Sequence, residues 1–203
     1  MNFDTSQIRK DIWKGPSKCN NACSLSTGYP QLDQYLPSGG WPLRAVTEIL
    51  VENIAETPIW LIAPALVELG HEQRWQAWIA PTGIPYAPAL EYAGINLSKM
   101  LLIHPPKNSD LLWTIERTLG SSVCSAVLSW PHKLHGTASR RLQLAARNGR
   151  SWGLCFLSAS HAAHQTMAAL RLLFRPNRQG AAITILKCRG AKPIEALQIT
   201  RKN

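Results

Sequence analysis

Short apolar runs of strand length alternate with helix-length segments along most of this chain, and most of the helical segments close on a glycine. Residues 45–51, 75–80, 99–104, 123–130 and 152–157 have the length and composition of buried strands. Helical patterns occupy 58–70, 85–94, 109–119 and the stretch from Thr137 to Gly149. Asn108 and Thr137 supply N-caps, Gly70, Gly120 and Gly149 supply stops, and Pro64 is placed to kink the first helix. Parallel strands need connections of about a dozen residues, so the alternation predicts an α/β fold with a mainly parallel central sheet and helices on both faces. Residues 167–175 and 181–189, joined through 176–180, predict a closing antiparallel strand pair.

A chain of 203 residues, 45% of them hydrophobic, is long enough for one domain with a substantial core. We expect that domain at 27–193, after a flexible N-terminal arm at 1–26 and before a C-terminal tail at 194–203. The apolar runs are too short to cross a bilayer, and the first 16 residues lack the apolar centre of a signal peptide. A cytoplasmic protein is expected, without membrane partners.

Charge narrows the functional classes. The net charge is +10, and no Asp or Glu occurs from 117 to 194. Lys133, Arg140, Arg141, Arg147, Arg150, Arg171, Arg175, Arg178, Lys187 and Arg189 fall in that span and are candidates for binding DNA or an acidic partner. Arg140 and Arg147 share a face of the predicted helix, while Arg171, Arg175, Lys187 and Arg189 are expected as a basic ribbon on the last two strands. Most of the eight tryptophans fall inside predicted elements and are expected in the core; Trp13, in the arm, and Trp41, in a turn, are the candidate partner anchors.

Enzyme chemistry finds little support. Cys19 and Cys23 lack a second ligand pair at metal spacing, and Cys124, Cys155 and Cys188 sit in apolar runs as buried reduced thiols. His132 with His135, and His161 with His164, have no nearby carboxylate. Ser129, Ser158 and Ser160 lack both a nucleophile elbow and acidic partners. We expect no catalytic residues, no metal and no cofactor.

The segment 27–49 carries Thr27-Gly28, Leu32-Asp33, the turn Gly39-Gly40-Trp41-Pro42 and a strand ending in Glu48-Ile49, and it resembles the lead-in to the nucleotide site of the RecA family. In that alignment the phosphate loop falls on Val51, Glu52, Asn53, Glu56, Thr57 and Pro58, which supply neither the glycines, the Lys nor the magnesium hydroxyl that such a loop needs. Two carboxylates there would face the phosphates; like charges about 4 Å apart repel by roughly 4 kcal/mol at an effective dielectric of about 20. Thr82 stands where the family has its catalytic Glu, and Ser129 where it has the magnesium-positioning Asp. The chain thus resembles a RecA-like three-layer fold that has lost ATPase function.

Within that family the Gly-Gly-Trp-Pro turn, Pro85-Tyr86-Ala87-Pro88-Ala89-Leu90, the run from Arg141 to Ala146 and Leu170-Arg171-Leu172 resemble the ImuA branch and its SulA-like relatives. The ImuA resemblance implies a non-catalytic accessory protein of the DNA-damage (SOS) response. Its partners would be a Y-family-like polymerase subunit, a specialised replicative-type polymerase, RecA and DNA. The SulA resemblance implies instead a division inhibitor that binds the tubulin-like protein FtsZ and blocks septum formation.

Overall fold

The computed structural model describes residues 24–201. At its start β1 (Ser24–Leu25) pairs antiparallel with β2 (Trp41–Pro42), enclosing α1 (Pro30–Asp33). Asp33 fastens this lead-in: one carboxylate oxygen accepts from the Thr27 amide at 2.8 Å and the other from the Ser26 hydroxyl at 2.6 Å. Gly28 has φ +81°, and a Cβ there would come within 2.7 Å of Pro64, so both backbone conformation and space require glycine. The Thr-Gly and Leu-Asp pairs therefore have packing roles in this chain.

Next come β3 (Val46–Val51), α2 (Ile59–Leu69), β4 (Trp75–Ile79), α3 (Ala87–Tyr92), β5 (Met100–Ile103), α4 (Leu111–Gly120), β6 (Cys124–Ser129), α5 (Gly136–Asn148), β7 (Trp152–Ser158), β8 (Leu170–Asn177), β9 (Gly180–Cys188) and β10 (Ile194–Thr200). The large sheet has the order β10-β9-β8-β3-β7-β6-β4-β5. Pairings from β8 to β5 are parallel, whereas β8–β9 and β9–β10 are antiparallel. Side chains from α1, α2 and α3 pack with Ile49, Trp78, Leu128, Trp152 and Phe156 on one face. On the other, α4 and α5 cover Val46, Leu50, Ala77, Ile79 and Val127. At Gly149 a Cβ would lie 1.9 Å from the Leu119 carbonyl oxygen, so the C-terminal ends of α4 and α5 meet in contact that no larger residue permits.

The expectation of a RecA-like three-layer fold is corrected. The eight-stranded sheet is mixed, three strands rather than two form its antiparallel end, and helices are few: only α2, α4 and α5 reach ten residues. Residues 159–169, between β7 and β8, hold a single short 3-10 turn instead of a crossover helix. Ile194–Thr200, inside the stretch expected as a tail, forms β10; Ile199 is buried, and the strand irregularity at Ala196, φ +53°, kept it from reading as a strand. Pro64 lies inside α2 and leaves the Trp60 carbonyl without its usual donor four residues on; the Tyr29 hydroxyl donates to that oxygen at 3.2 Å.

Candidate functional site

The loop after β3 closes on itself. The Asn53 amide donates to Glu56 at 2.8 Å, its side-chain oxygen accepts from the Ala55 amide at 3.1 Å, and the Glu56 amide donates to the Asn53 carbonyl at 3.0 Å. Thr57 donates to the Ile54 carbonyl at 3.0 Å and accepts from the Trp130 indole at 2.8 Å. Val51 and Pro58 are buried, and Pro58 has no N–H to offer at the entry to α2. Glu52 is exposed and pairs with Arg175 at 3.2 Å. Such a loop presents carboxylates and internally bonded amides rather than a cradle for anions.

The predicted basic residues fall into separate groups. Arg140, Arg141 and Arg147 lie exposed on α5, with Arg150 just past its end and Lys133 exposed in the loop before it. Arg141 is held by a two-point ion pair with Glu116 of α4. The expected ribbon on the last strands does not form, because Arg171 is buried and donates to Glu48 of β3 at 2.7 Å. Thr166 also donates to Glu48, while Lys187 donates to the Thr166 carbonyl, both at 2.5 Å. Burial, then the nearby Arg189 and Arg171 charges, hold the Lys187 ammonium below its ordinary pKa against the opposing pull of Glu48. These contacts fasten the β7–β8 connection to the sheet. Arg178 in the β8–β9 turn and Arg189 remain exposed.

Trp41 is corrected as a partner anchor. It is fully buried, with its ring 5.4 Å from that of Trp152. Trp13 lies outside the described residues, as do Cys19 and Cys23. His161 and His135 both approach His164, with ring centroids 5.1 and 6.0 Å from its own, but the described residues contain no His, Cys, Asp or Glu group able to hold a metal ion.

The accessible apolar side chains lie elsewhere. Ile84, Tyr86 and Tyr92 are 89%, 72% and 91% exposed, and Leu102 projects from the edge strand β5. Of the nine large exposed apolar side chains among the described residues, these four share the β4–α3–β5 corner. Leu90 and Ile95 anchor the corner in the core, and the Ile95 amide closes the helix on the Leu90 carbonyl at 2.9 Å. Pro81, Pro85 and Pro88 fix three backbone φ angles around Ile84 and Tyr86, so the aromatic side chains sit on a stiffened support. Sequence reading missed this site. The Pro-Tyr-Ala-Pro segment was the available signal, since proline-framed aromatics at a helix start are suited to display. No helix among the described residues is long and apolar enough to cross a membrane.

A family model for the cell division inhibitor SulA matches residues 45–153. The chain is 34% identical over 133 residues to the cell division inhibitor SulA of Pectobacterium carotovorum subsp. carotovorum (strain PC1), covering 64% of this chain and 76% of that protein. Against SulA of Pseudomonas aeruginosa it is 30% identical over 135 residues, covering 64% and 84% respectively. The crystal structure of SulA from Pseudomonas aeruginosa aligns at a TM-score of 0.46 with 28% identity, over 55% of this chain and 98% of that one. The family-model and sequence matches overturn the ImuA assignment within the RecA-like family; the translesion role and the polymerase and RecA partners that rested on it have no support. The corner from Ile84 to Leu102 falls inside the matched segment, whereas β8, β9 and β10 fall outside it.

Proposed function

The chain belongs to the SulA family of cell division inhibitors, and from that premise we propose that it stops division by binding FtsZ and blocking its polymerisation, as part of the cytoplasmic DNA-damage (SOS) response. The observation that carries the reading is the exposed Ile84–Tyr86–Tyr92 corner within the family-matched segment. Exposed Tyr side chains are enriched at binding hot spots because they combine large apolar area with a polar tip and few rotors to immobilise. The proline-stiffened support further reduces the entropy lost on docking. Inhibition by this route needs no catalytic group: an FtsZ subunit held at this corner is unavailable to the growing polymer.

The test is light scattering of purified FtsZ with GTP and increasing amounts of this protein. Polymer signal falls stoichiometrically with added inhibitor, and Tyr86→Ser with Tyr92→Ser restores it. Unchanged polymerisation at excess inhibitor contradicts the proposal.

A further inference from the structure

On the opposite face of the sheet, α4 and α5 frame a groove of about 540 Å³ that the division-inhibitor reading leaves unused. Trp113, expected in the core, is 57% exposed at one end of it. Arg117, one turn further along α4, places its guanidinium 5.7 Å from the centre of the Trp113 ring. The acid lining the groove, Glu116, is neutralised by Arg141. Along the neighbouring row of α5, Arg140, Leu144 and Arg147 are exposed, following the i, i+4, i+7 spacing of one helix face. Among the described residues, Arg117, Arg140 and Arg147 form no ion pair.

The negative ends of α4 and α5 would oppose an anion nearby. Here the Arg74 guanidinium is bonded to the carbonyls of Ser122, Cys124, Gly149 and Arg150 around those ends, which offsets that field. The face therefore combines unpaired guanidinium groups with an accessible indole bearing its own arginine.

We propose that the α4–α5 groove and the adjoining exposed face of α5 bind single-stranded nucleic acid, with a base stacked on Trp113 in the groove and the backbone phosphates held by Arg117 at its rim and by Arg140 and Arg147 on the neighbouring row of α5. Aromatic stacking beside a cationic track is the general solution for unpaired strands, whose bases are free to leave the helical stack. An acidic peptide would use the arginines but not the ring, and this difference selects the strand. The inference is independent of the FtsZ reading, since Trp113 and the Tyr86 corner lie on opposite faces.

The experiment is fluorescence anisotropy of the full chain with a labelled 20-nucleotide oligo(dT), from 50 to 300 mM NaCl. Three phosphate contacts give a log–log salt slope of about −2. Trp113→Ala weakens binding at least about fivefold, as expected for loss of one base stack, and Arg140→Glu with Arg147→Glu abolishes it; both variants still inhibit FtsZ. Poly-glutamate of matched charge competes poorly. Wild-type affinity in Trp113→Ala, or poly-glutamate competing as well as oligo(dT), overturns the assignment, the second result identifying an acidic protein as the ligand of this face.

Discussion

Glu48 and Arg171, on neighbouring parallel strands, form an ion pair at 2.7 Å with side chains only 0% and 4% exposed. Burial makes this pair a point of vulnerability, because removing one member leaves the other charged and desolvated. Such breaks cost about 3–5 kcal/mol, whereas replacing both members by apolar groups is often neutral. Glu48→Ala should lower the urea midpoint accordingly, and Glu48→Leu combined with Arg171→Met should recover most of the loss. Equal destabilisation by single and double variants would contradict this assignment.

The Tyr29 hydroxyl substitutes for the amide that Pro64 lacks. Tyr29→Phe should destabilise by about 1 kcal/mol, the net value of a typical hydrogen bond. In a Pro64→Ala background the restored backbone amide can donate to the Trp60 carbonyl, and the effect of Tyr29→Phe should shrink. A double-mutant cycle by urea unfolding measures that coupling.

Burial, opposed slightly by a hydrogen bond with Ser129 and reinforced by Glu48, pushes the Cys155 thiol up to about 12 from an ordinary 9.0. Between those values the folded chain retains a proton that the unfolded chain releases, so this contribution to stability is present below pH 9 and is lost as pH rises toward 12. Lys187 acts in the opposite sense, since its lowered pKa makes the unfolded chain the better proton binder up to 10.5. Cys155→Ala should flatten the alkaline fall in stability, whose limit for one proton is about 1.4 kcal/mol per pH unit. Urea titrations at pH 8, 9 and 10 measure the slope.

Trp41 should behave as a core residue. Trp41→Ala is expected to cost about 3–5 kcal/mol, while Trp41→Phe, which keeps an aromatic ring against Trp152 and removes a buried indole N–H lacking a hydrogen-bond partner, should cost far less. Thermal melts of the two variants provide the comparison.

Strands buried on both faces were legible because their sequences are almost continuously apolar, as in β3, β6 and β7. Glu48 inside such a strand was the visible sign that a buried cation was needed. Its partner is 123 residues away, and local spacing carries no trace of that pairing. Arg171 was therefore assigned to the surface with the other arginines. The half-exposed β10, with its irregularity at Ala196, has no clean alternation to read. Trp41, in a turn, and Trp113, inside a predicted helix, have the burial opposite to what their local settings implied, since exposure depends on what the rest of the chain brings against each ring. For the same reason the apolar corner of Ile84, Tyr86, Tyr92 and Leu102 emerged only once β5 was seen at the sheet edge.

On the proposed reading the Tyr86–Tyr92 corner captures FtsZ. Its most direct test is the dissociation constant for FtsZ, measured by calorimetry, of the wild-type chain against Tyr86→Ser with Tyr92→Ser, after confirming that their melting temperatures agree. We predict that the double substitution weakens binding by at least about 30-fold, equivalent to about 2 kcal/mol at a hot spot. Wild-type affinity in the doubly substituted protein would show that FtsZ is not held at this corner.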